Sequence, residues 1–150
     1  VVNLRGAGLQ AKRDFNPMSL AYLGDAVWEL YARSFFLTPP QAVQSYRSSV
    51  ERNARAEAQA DVLSDLIVQG RLTPEEEEIA RWAKNSKPKA VPKRFTSKHG
   101  SGDKVPYYKA TALECLIGFW FLTDSARLHE VMGLAGLRRD WGQATLEETR

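Results

Sequence analysis

The sequence predicts an all-α domain, and three observations carry that reading. Apolar residues recur at helical spacing in several stretches, those stretches start and stop on capping residues, and no run alternates in the manner of a strand. One domain is expected, because 150 residues with 43% hydrophobic content can bury a single core of ordinary size.

Residues 1–15 contain Gly6 and Gly8 and read as a flexible lead-in. Asn16-Pro17 then opens a helix, since Asn accepts from the free amides of the first turn and Pro suits the first helical position. Its core face is expected at Leu20, Leu23, Val27, Leu30 and Tyr31, and Thr38-Pro39-Pro40 ends it. A second helical stretch spans about Gln41 to Gln69, with a break expected near Ser48-Ser49 and a stop at Gly70. Its apolar stripe is Ala54, Ala58, Val62, Leu63 and Leu66. Thr73-Pro74 starts a third helix, in which Thr73 and Glu76 have capping-box spacing and Glu75 to Glu78 suit a positive helix N-terminus.

Composition shifts after Lys84. Between Lys84 and Lys109 eight basic residues meet one acid, Asp103, and Pro88, Pro92, Gly100 and Gly102 break any helix. This basic loop, residues 84–105, is either a solvated insertion or a phosphate-contacting segment. Lys87, Lys89, Lys93, Arg94 and Lys98 are its candidate RNA-binding residues; Phe95 is expected to make a hydrophobic contact. Pro106 opens a strongly apolar helix to about Leu122, and Thr123-Asp124-Ser125 caps a last helix through Met132. The folded unit is expected over 16–136, with 137–150 as a tail.

The bulk figures exclude several classes. Twenty-one basic against eighteen acidic residues leave a mild net charge of +3, so the distribution of charge matters more than its total. Cys115 stands alone in an apolar run and reads as an inert core residue of a reducing compartment. The longest apolar run, Ala110 to Leu122, is shorter than a membrane span and contains Glu114, so no membrane association is expected. No secretory signal is visible. His99 and His129 lack metal-site spacing with the cysteine, and there is no phosphate-cradling glycine loop or nucleophilic triad.

Two carboxylates stand out. Asp25 lies in Leu20-Ala21-Tyr22-Leu23-Gly24-Asp25-Ala26-Val27, and Glu114 in Ala112-Leu113-Glu114-Cys115-Leu116-Ile117-Gly118-Phe119. A lone acid in an apolar helix needs a cation. Either a salt bridge or a shared divalent metal supplies one, and composition leaves both open. Hard oxygen ligands on rigid helices suit Mg²⁺. Gly24 and Gly118 point to close helix contacts and hence to convergence of the two acids. Glu29, on the same face as Asp25, reads as a solvated edge.

The segment Leu20 to Leu30 resembles the signature helix of the ribonuclease III catalytic domain, and Ala110 to Gly118 resembles its second acidic helix. Ala58-Gln59-Ala60 and Leu72 to Glu77 are similar to the middle section of the Mini-ribonuclease III branch, which lacks a double-stranded-RNA-binding domain. The resemblance covers roughly Asn16 to Leu134. It implies an α-helical homodimer that hydrolyses both strands of duplex RNA with Mg²⁺, or Mn²⁺ in its place. It also implies Asp25 and Glu114 as catalytic and metal-binding residues, a role in ribosomal or other structured RNA maturation, and a bacterial cytoplasm or plastid stroma. Met18, Ala21 and Thr111 stand where classical members carry further acids, which the Mini form commonly lacks too. Arg81-Trp82-Ala83-Lys84-Asn85 is less basic than the family's pattern. The competing reading is a catalytically silent, ribosome-associated RNA-binding scaffold. Leu23, Val27 and Trp28, or Phe119 and Trp120, are candidate interface residues.

Overall fold

The computed structural model describes residues 7–86, 91–96, 100 and 102–138. Among them the chain forms seven helices and no strand: α1 Ala7–Asp14, α2 Pro17–Phe36, α3 Val43–Ala54, α4 Ala56–Val68, α5 Pro74–Asn85, α6 Val105–Thr123 and α7 Ser125–Leu134. A single 3-10 turn at Lys93–Phe95 interrupts the segment between α5 and α6.

The fold is built around α6. Every residue from Ala110 to Trp120 is buried except Glu114. A helix apolar on all sides belongs inside, and α2, α4 and α5 enclose this one. From α2 come Leu20, Val27 and Trp28; from α4 Leu63 and Leu66; from α5 Ile79 and Ala83. Leu30 does not join them and is 63% exposed, because it lies beyond the arc that α6 covers.

The caps form where expected. The Asn16 side chain accepts from the Met18 amide at 2.8 Å. Thr73 and Glu76 close a reciprocal capping box, and Asp124 accepts from the Arg127 amide at 3.0 Å. Two boundaries differ from the sequence expectation. Residues 7–14 are helical, held on α5 by the Lys12–Glu78 ion pair at 2.6 Å and by the Gly8 amide donating to Glu75. The stretch expected as one helix over 41–69 divides at Arg55, whose ψ of 145° is extended backbone, rather than at Ser48-Ser49.

The acidic start of α5 does more than complement the helix dipole. Glu76 is buried and is gripped by Arg127 of α7 at 2.8 Å and by the Trp120 indole of α6 at 3.0 Å. Arg127 also donates to the Arg71 carbonyl and to Glu130. One carboxylate thus ties three helices together.

The basic segment is less loop-like than its composition suggests. Lys84 belongs to α5, and Phe95 is 3% exposed, packed on Tyr107 at a ring separation of 5.8 Å. Lys87, Lys89 and Lys98 lie outside the described residues. Beyond α7, Gly136 takes a positive φ of 74° and turns Leu137 back into the core; the rest of the expected tail from 139 lies outside the described residues. Among the described residues no helix is long and apolar enough to cross a membrane.

Candidate active site

The crossing of α2 and α6 is set by two glycines. A Cβ at Gly24 would overlap the Glu114 carbonyl oxygen, and one at Gly118 would overlap the Leu20 carbonyl oxygen. With no Cβ at either position the two backbones touch. Asp25 follows Gly24 directly, so the same contact brings its carboxylate into the electrostatic neighbourhood of Glu114. The two acids converge as their flanking glycines suggest.

Neither acid is fully buried. Asp25 is exposed, and Glu114 is half-buried at the surface end of a core position. Burial pushes the Glu114 carboxyl up to about 8; the charge of Asp25 adds to this, and the neighbouring Gln59 side chain opposes it. Partial burial also raises Asp25, with the charge of Glu29 adding. Glu29 itself is paired with Arg33 at 2.5 Å across one turn, as befits a solvated edge.

Among the described residues no salt bridge reaches Asp25 or Glu114. The salt-bridge solution to two acids on apolar helices is therefore not the one adopted here. Two neighbouring carboxylates, one of which raises the other, form a hard oxygen donor set. No group of three or more His, Cys, Asp or Glu suited to a metal lies among the described residues. A two-carboxylate set fits Mg²⁺, which keeps several waters and takes few protein ligands.

Two neighbours escaped the sequence reading. Gln59 of α4 is 1% exposed and reaches toward Glu114, while its amide nitrogen makes no hydrogen bond of full geometry. Tyr107, Thr111 and Glu114 share one face of α6, and the Thr111 hydroxyl donates to the Tyr107 carbonyl at 2.9 Å. Burial, then the charge of Glu114, raises the Tyr107 phenol. Tyr107 also carries Phe95, so the basic 3-10 turn is anchored on the acid-bearing face of α6.

The described cations differ in their pairing. Arg94 approaches Glu57 of α4 at 3.4 Å and lies over the Phe95 ring at 4.6 Å. Lys109 donates to the Ser64 hydroxyl at 2.9 Å. The Lys84 ammonium is lowered by burial and then by the charge of Lys109. His129 is taken up by the Tyr31 hydroxyl at 2.7 Å, and the Cys115 thiol is buried and pushed up to about 12, an inert core group.

The family profile of the Ribonuclease III domain matches residues 18–125, which include both acids. The chain is 36% identical over 135 residues to a Mini-ribonuclease 3 of Synechocystis sp., covering 90% of this chain and 87% of that protein. It is 39% identical over 118 residues to a Mini-ribonuclease 3 of Thermosynechococcus vestitus, covering 79% and 72%. A crystal structure of a protein from Fusobacterium nucleatum superposes with a TM-score of 0.69 at 28% identity, covering 81% of this chain and 93% of that one. With the profile spanning most of the chain and relatives above 30% identity over nearly all of it, the chain belongs to the ribonuclease III family.

Proposed function

We propose that the protein is a divalent-metal-dependent endoribonuclease that cuts double-stranded RNA, acting in the maturation of ribosomal or other structured RNA. The observation that carries this reading is the acid pair. Asp25 and Glu114 are brought together by direct backbone contact between two helices, at an electrostatic cost that no cationic side chain offsets among the described residues.

Asp25 and Glu114 are the residues that would hold Mg²⁺, or Mn²⁺ in its place. A divalent ion bound there supplies charge stabilisation at a phosphate and lowers the pKa of water. The chain's own part is positional. α2 and α6 fix the two carboxylates on rigid backbone, and the exposure of Asp25 leaves the site open to a polymer substrate. No side-chain nucleophile is required. Duplex RNA would be recognised by shape, through phosphates and 2′-hydroxyls. Two strands call for two related sites, so a homodimer is part of the reading. Val27, Trp28, Phe119 and Trp120 are core residues of the monomer, Leu23 is half-buried, and the large apolar side chains exposed on α2 are Tyr22, 84% exposed, and Leu30. Incubating the protein, as a dimer by light scattering, with an end-labelled RNA duplex and Mg²⁺ is expected to give fragments of both strands. An intact duplex under those conditions would overturn the assignment.

The basic turn supplies grip. Arg94 is held by an exposed pair with Glu57 that costs little to break, and Lys93, Lys87, Lys89 and Lys98 stand nearby in sequence. Replacing these five residues by Gln while keeping the buried Phe95 is expected to weaken duplex binding. The slope of log affinity against log salt should fall by roughly 0.7–0.9 for each phosphate that is no longer neutralised. Both proteins carry Asp25→Asn to prevent cleavage. Equal slopes would assign the turn to solvent.

A further inference from the structure

Gln59 occupies a position where the pattern of its helix calls for an apolar side chain. On α4 it stands one and two turns before Leu63 and Leu66, in the stripe that faces α6. Leu63 is fully buried, Leu66 is 3% exposed and Gln59 is 1% exposed. A buried amide is costly unless its polar atoms are paired, and a leucine there would carry no such cost. The amide nitrogen of Gln59 nevertheless has no hydrogen bond of full geometry, the one buried side-chain atom of this kind among the described residues. The group it approaches is Glu114.

We infer that Gln59 is the positioning residue of the acid pair: its amide N–H holds the Glu114 carboxylate in its charged, ligating orientation when a divalent cation binds. The inference rests on the acid pair being the cation site. A carboxylate on a packed helix ligates well only when one of its oxygens is held from behind by a donor, and such supporting partners commonly change affinity 10–100-fold when removed. Asp25 is exposed and can take its orientation from water. Glu114 is half-buried on α6, where α2 and α4 pack, so its inner oxygen takes its support from protein, and Gln59 is the donor that α4 presents to it. The unpaired nitrogen is then a donor kept for the charged, cation-bound carboxylate.

The test is Mn²⁺ binding to the full chain without RNA, read by electron paramagnetic resonance. Wild type, Asp25→Asn and Gln59→Met are compared, with thermal unfolding measured beside it. Gln59→Met keeps length and burial but has no donor. It is expected to fold with an unchanged or higher Tm, because an unpaired buried amide has been removed. Its Mn²⁺ affinity is expected to fall 10–100-fold. A purely structural Gln59 would give the reverse, a lowered Tm with wild-type affinity, and that result would overturn the inference. If wild type shows no Mn²⁺ binding that Asp25→Asn removes, the acid-pair reading itself fails and takes this inference with it. A second readout needs no substitution at Gln59. The Gln59 side-chain amide resonances of the wild-type protein should shift and gain protection from exchange on saturation with Mg²⁺. No change at saturation would also overturn the inference.

Discussion

Asp25→Asn and Glu114→Gln are each expected to abolish cleavage of duplex RNA while making the metal-free protein more stable. The two effects have one cause. Burial raises both carboxyls, the charge of Asp25 adds to the rise at Glu114 and that of Glu29 to the rise at Asp25, and no salt bridge offsets the cost among the described residues. Cation binding relieves that cost, and neutral substitution relieves it without a cation. Losing a cation that stabilises several kcal/mol of transition-state charge reduces the rate by about a thousandfold or more. Stability should move the other way and should depend on pH. The Glu114 carboxyl titrates near 4.5 when unfolded and at about 8 in the fold, so the folded state holds the proton more tightly. Its contribution to stability is full below pH 4.5, declines as pH rises, and is gone above about 8, at a rate of at most about 1.4 kcal/mol per pH unit. Thermal unfolding in EDTA between pH 5 and 9 reads this directly. Wild type should lose Tm across the window, Glu114→Gln should lose less, and Mg²⁺ should restore wild type alone. A Glu114→Gln protein less stable than wild type in EDTA would contradict the strained acid pair.

The largest expected loss of stability comes from Arg127→Met. Arg127 is the cationic partner of the buried Glu76 and donates to it through two nitrogens, at 2.9 and 2.8 Å. Removing one partner of a buried pair leaves an uncompensated charge, at about 3–5 kcal/mol. For a chain of this size that corresponds to a Tm lower by about 10 °C. The stranded charge on Glu76 should outweigh the change in packing, so Glu76→Gln added to Arg127→Met should recover part of the loss. Cleavage per folded molecule should be unchanged, since Glu76 and Arg127 are not among the residues around the acid pair. A loss below about 1 kcal/mol in the single variant would show that Glu76 finds water or another donor.

Much of the layout is legible in local chemistry. Asn16, Thr73 with Glu76, and Asp124 cap helices because their side chains reach amides two or three residues on, which sequence spacing determines. Gly24 and Gly118 announce a close crossing because a mid-helix glycine has little other use. The parts that could not be read depend on distant partners. Helix α1 has a weak pattern of its own and is held by Glu75 and Glu78, acids that local reasoning assigned to the α5 dipole. Glu76 looks sufficient as a cap, and only the folded chain shows that it also binds Arg127 and Trp120. The exposure of Leu30 and the burial of Phe95 are set by where α6 and Tyr107 lie. Gln59 was visible only as part of a family-like segment; the clue was its place in the stripe with Leu63 and Leu66, where glutamine is out of character.

Asp25 and Glu114 are proposed to form one divalent-metal centre. The most direct measurement is anomalous diffraction from crystals of the active protein soaked in Mn²⁺. The expected result is a peak at about 2.1 Å from an oxygen of each carboxylate, absent in Asp25→Asn crystals treated alike. A saturated crystal in which Mn²⁺ touches neither acid, with Glu114 instead protonated or paired to a cationic side chain, would contradict it.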